Sequence, residues 1–114
     1  MKSDEIESLR KERKRLTDGY KELFSEISAI LFRHDPIGIN FEDNRDEYDT
    51  EARTILPRLR PDVSIENLTV IVHDEFVRWF DRETAGPREN YSSIAAEIFE
   101  AYKKSGLRPL KTAG

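Results

Sequence analysis

Six acids and one base occupy residues 42 to 51: Glu42, Asp43, Arg45, Asp46, Glu47, Asp49 and Glu51. Two kinds of chemistry suit such a run. Asp46, Asp49 and Glu51 could converge on a divalent cation as oxygen ligands if the chain curls at a helix start, with His73 as an added imidazole. Alternatively, Asp46, Glu47, Tyr48, Asp49 and Glu51 form a protein-binding surface, with an exposed tyrosine anchoring a basic partner. The run lacks the glycine and the regular alternation of a calcium loop. Helix capping by Asp49 and dipole pairing by Glu51 explain two of the acids without any site. The protein surface is therefore preferred, and no metal or other cofactor is expected.

The remaining chemistry is sparse. His34 and His73 are the only imidazoles, and His-Glu-x-x-His is absent. His34 is expected to interact with the negative end of its own helix. The chain has no cysteine, which excludes a thiolate nucleophile, a disulfide and a cysteine zinc site. No serine has the Gly-x-Ser-x-Gly setting, and the scattered glycines cannot cradle a nucleotide. No catalytic residue is assigned, and the balance leans away from an enzyme. A metal-dependent enzyme using the 46–51 acids with His34 or His73 is the alternative.

The elements that must position these residues are helical. Ile6, Leu9, Arg13, Leu16, Tyr20, Leu23, Ile27 and Ile30 alternate in steps of three and four, a heptad seam. Ser3 is the expected cap. Gly19 costs ~1 kcal/mol inside a helix, which leaves open either a break or bend near Asp18-Gly19 or an arm continuous with the first helix. Residues 1–17 then form a helical arm, 18–107 a single domain and 108–114 a frayed tail. Pro36 ends the first helix near His34. The loop that follows carries Ile37, Ile39 and Phe41, which should fold back on the core. A second helix starts with Asp49 as its cap, is interrupted by Pro57 and ends at Pro61.

A third helix is capped by Ser64, with a staple from Val63 to Leu68. It buries Leu68, Ile71, Val72, Phe76, Trp79 and Phe80; a short strand over 69–72 is the competing reading. Gly86-Pro87 opens a fourth helix, with the proline expected in its first position. That helix buries Tyr91, Ile94, Ala95, Ile98, Phe99 and Tyr102 and closes on Gly106. The expected fold is all-α, a compact bundle of about four helices.

The loop Asp35-Pro36-Ile37-Gly38-Ile39, followed by Asp46-Glu47-Tyr48-Asp49-Thr50-Glu51, resembles a family of small bacterial helical proteins of unknown function. Those proteins carry an Asp-Pro-hydrophobic-Gly loop and then a Glu-Tyr-Asp-x-Glu motif. The resemblance covers residues 22 to 104. It implies an all-α fold and no established activity; some relatives look like toxin-immunity proteins.

Composition narrows the function classes. The 114 residues carry 19 bases and 23 acids, a net charge of −4. That deficit of base disfavours nucleic acid as a partner. Leu, Ile, Val and Phe make up about a quarter of the chain, above the ~20 % below which high charge implies disorder. No window approaches the ~18 apolar residues of a membrane span, and no secretory signal opens the chain, so a cytoplasmic location is expected. Residues 10–15 hold five cations and one anion. The expected function is a non-enzymatic protein–protein interaction module, immunity-like, with a basic partner. A dimeric coiled-coil adaptor, a homodimer formed through the N-terminal arm, is a further alternative.

Overall fold

The 3–4 spacing from Ile6 to Ile30 folds as one uninterrupted helix, α1 (Ser3–His34). The computed structural model describes residues 3–38 and 46–106. Of the two readings at Gly19, the continuous helix is the one that forms. The single-glycine cost of ~1 kcal/mol is offset by the half that follows, where Leu23, Ile27, Ile30 and Leu31 are buried. The helix stops where Pro36 requires. Asp35 swings to φ +49° while its N–H still donates to Leu31 O at 2.8 Å. A turn then closes from Gly38 N–H to Asp35 O at 3.1 Å, and Ile37 packs against the core. Ile39 and Phe41 lie outside the described residues.

The second helix, α2 (Asp49–Ile55), departs from expectation at its start. Tyr48 holds the capping position and no side chain caps the helix; Asp49 is its first residue. Asp49 instead accepts a hydrogen bond from the Ser28 hydroxyl of α1 through its Oδ1. Pro57, which has no N–H to donate to Arg53, tightens the end of α2 into a 3₁₀ turn, Leu56–Arg58.

Helix α3 (Ile65–Trp79) includes the β-branched run at 69–72, which is helical and not a strand. Ser64 caps it, accepting from Asn67 N–H at 3.0 Å. Val63 and Leu68 are both buried, as a staple pair requires. Trp79, expected on the buried face, is 44 % exposed. Its indole N–H donates to the hydroxyl of Thr54 on α2 at 3.1 Å, a polar contact at the edge of the bundle. Phe76 and Phe80 stack inward instead, 5.8 Å apart.

A one-turn helix not anticipated from the sequence follows, α4 (Arg82–Ala85). Asp81 caps it by accepting from Thr84 N–H at 2.6 Å, and this bond holds its carboxyl below the ordinary range. Pro87 precedes a 3₁₀ turn, Arg88–Tyr91, and so stands just outside the helix it was expected to begin. The last helix, α5 (Ser92–Ser105), ends on Gly106 at φ +67°, the left-handed cap that favours glycine.

The core gathers Leu23, Ile27, Leu31, Tyr48, Ile55, Leu59, Leu68, Val72, Phe76, Tyr91, Ile94 and Ile98. Helix α5 packs against both α1 and α3, and α2 bridges α1 and α3. The fold is all-α. Among the described residues there is no strand, and no helix is long and apolar enough to cross a membrane.

Candidate functional site

Tyr48 was expected as an exposed anchor among the acids. It is fully buried, at 0 % exposure. Its ring lies 5.8 Å from Phe76. Its hydroxyl donates to Asp35 Oδ1 at 2.6 Å and accepts from Ile37 N–H at 3.3 Å. The tyrosine therefore ties the foot of α2 to the turn that ends α1. The pairing of an Asp-Pro-hydrophobic-Gly turn with a downstream tyrosine is, in this chain, a structural clasp. The physical reason is burial: an aromatic ring next to the core gains more from leaving water than from anchoring at a surface.

The acids around Tyr48 separate. Asp46 is exposed, Glu47 and Asp49 are half-buried, and Glu51 is 4 % exposed. Glu51 Oε1 is buried without a hydrogen-bond partner among the described residues. Burial pushes the Glu51 carboxyl above its ordinary pKa; a bond from its own backbone N–H works the other way, and Glu47 and Asp49 add to the rise. His73, the fourth member of the alternative metal set, is engaged elsewhere. Its Nε2 lies 2.9 Å from Gly86 O, and its ring is 5.4 Å from that of Tyr91. Among the described residues, no three His, Asp or Glu side chains gather as a metal-holding group. Glu42 and Asp43 lie outside the described residues.

His34 does not simply cap its own helix. Its Nε2 meets Glu97 Oε2 on α5, while Arg33 donates to Glu97 Oε1. These two partners, His34 first, hold the Glu97 carboxyl below its ordinary range. The arrangement clamps the end of α1 to α5. A second clamp joins the 3₁₀ turn to α3, where Arg58 donates to the buried Glu75 at 2.8 Å.

The acidic segment does border a surface feature that the sequence reading missed. Phe24, Ser28, Ala29 and Phe32 of α1 line an open groove with Asp46 and Asp49, about 340 Å³ in volume. Phe24 and Phe32 are partly buried against the core. The Ser28–Asp49 hydrogen bond crosses its floor. Arg53 stacks over Phe24, 5.6 Å from the ring centroid. The available signal was Phe24, which widens the apolar stripe of α1 beyond a narrow seam. No family model, no curated protein and no solved structure matches this chain.

Proposed function

We propose that the chain is a non-enzymatic protein–protein interaction module whose contact surface is the groove between α1 and segment 46–49. The observation that carries this reading is the pairing of two aromatic walls, Phe24 and Phe32, with the exposed carboxylate of Asp46. A concave groove with aromatic walls and an acidic rim suits a basic segment that inserts one apolar side chain. The apolar group supplies the burial, and the charges steer and orient the encounter. Some relatives of the family that the 35–51 motif resembles look like toxin-immunity proteins, which suggests a class for such a partner: a basic protein domain held and inhibited by the contact. Tyr48 and Glu51 have no part in the surface, since both are buried.

The test is selection of short displayed peptides with the full chain as bait. The expected winners carry Lys or Arg flanking one Leu, Met or Phe. Titration of ¹⁵N-labelled protein with such a peptide should shift amides at Phe24, Ser28, Phe32, Asp46 and Asp49. Enrichment of acidic peptides, or shifts centred away from the groove, would refute the surface.

A further inference from the structure

Helix α1 packs against α2 on one side and α5 on the other. Between them its outer strip is exposed at Glu22, Ser25, Glu26 and Ala29. The groove with Asp46 lies on the α2 side of this strip. On the α5 side, Glu22 and Glu26 border a second groove with Ala101 and Lys104. Ser25 edges both. Within the first groove, Ser25, Ser28, Ala29 and Phe32 occupy positions i, i+3, i+4 and i+7 of one helix. Four residues so spaced enclose the hole that receives a knob from a facing helix. Three of them are Ser or Ala, whose short side chains leave the hole open. Ser28 is 6 % exposed and turns its hydroxyl to Asp49, so it forms the bottom.

We propose that the segment bound in this groove is a basic amphipathic α-helix, with one apolar residue set in the hole and Lys or Arg along both of its flanks. The helix presupposes the groove as the contact surface and rests on that reading. The shape of the hole favours a helix. An apolar side chain enters a four-residue hole most fully when its own helix lies alongside, since the ridges and holes of both helices repeat at the same three- and four-residue steps. Phe24, one turn before Ser28, extends the aromatic wall along that line.

Charge on both sides of the hole favours a helix as well. Asp46 is exposed on one rim, and Glu22 and Glu26 are exposed beyond Ser25 and Ala29 on the other. Of the neighbouring bases, Arg33 is paired with Glu97 and Arg53 lies over Phe24. Lys21 and Lys104 also border the α5 side, where Glu22, Glu26 and Glu100 outnumber them. In an extended segment, successive side chains point to opposite faces, so bases beside a seated Leu turn away from both rims. In a helix, ~10 Å across with its side chains, the residues flanking a knob splay to either side, as the e and g positions of a coiled coil do. Bases there reach Asp46 on one side and Glu22 and Glu26 on the other.

Two synthetic peptides of about 14 residues, about four helical turns, test the form of the partner. Both carry one central Leu flanked by Lys. A side-chain staple holds the first helical, and two D-residues keep the second from becoming so. Calorimetry with the full chain should give the stapled peptide an affinity roughly tenfold or more above that of the second. The variant Glu22→Lys, Glu26→Lys should weaken binding of the stapled peptide roughly tenfold at low salt. It should leave any binding of the second peptide unchanged and retain the helical circular dichroism signal. Equal affinity of the two peptides, or unchanged affinity of the stapled peptide for this variant, would overturn the helix. The variant Asp46→Lys tells the two readings apart. If it abolishes binding of two equally bound peptides, the groove stands and only the helix fails; if neither peptide binds in the groove, both fail.

Discussion

Tyr48 is fixed at two points, by its ring against Phe76 and by its hydroxyl on Asp35 and Ile37. Tyr48→Phe keeps the ring and removes both hydrogen bonds, leaving Asp35 with one partner fewer. The expected loss is about 1–2 kcal/mol in urea unfolding, the size of one or two partly buried hydrogen bonds. Glu51 and Glu97 make opposite contributions to the pH dependence of stability. Burial raises the folded-state pKa of Glu51, so its contribution is complete below the ordinary 4.5 and is lost as pH rises through the higher folded value. Glu97 is lowered, so its contribution is present above 4.5 and is lost as pH falls through the lower folded value. Glu51→Gln should therefore raise the urea midpoint at neutral pH, with the advantage shrinking as the pH falls from the higher folded value towards 4.5. Glu97→Gln should lower the midpoint at neutral pH, by an amount that also shrinks on acidification. Urea titrations of both variants across the acid range check both signs. Tyr91, its hydroxyl bonded to Ala85 O at 2.6 Å, has its pKa pushed up to about 12 by burial and stays neutral throughout.

Elements were more legible in the sequence than side-chain roles. Periodicity located α1, α3 and α5, and local capping chemistry marked Ser64 and Gly106, because both signals act within one or two turns. Whether α1 breaks at Gly19 was not legible in the sequence, because a local cost near 1 kcal/mol has to be weighed against tertiary burial that the sequence alone does not show. Helix α4 was missed because four residues carry no period; only the Asp81 cap announces it. Tyr48 was misplaced for a different reason. Acidic neighbours suggest a surface, yet a short helix start can point one residue in and the next out. Two helix predictions follow. Gly19→Ala should stabilise the chain by up to about 1 kcal/mol, since the position is helical interior in an unbroken α1. A destabilising result in thermal or urea unfolding would contradict the continuous helix. Ser64→Ala should cost about 1 kcal/mol by freeing the Asn67 N–H at the start of α3.

At the scale of the molecule, the net charge of −4 separates into distinct regions: a basic run within the arm and acids at the junction of α1 and α2. Clamps of Arg33 and His34 on Glu97 and of Arg58 on Glu75 lie between helices and keep the bundle in one arrangement. The groove beside Asp46 rests on the Ser28–Asp49 hydrogen bond and on the buried Tyr48 ring, which Tyr48→Phe retains. The most direct measurement is the affinity of a selected basic–apolar peptide for Asp46→Lys and for Tyr48→Phe, by calorimetry below the unfolding range of either variant. Asp46→Lys should weaken binding at least tenfold, about 1.4 kcal/mol, with stability unchanged, while Tyr48→Phe keeps the affinity and loses stability. Retained affinity in Asp46→Lys with lost affinity in Tyr48→Phe would contradict the account.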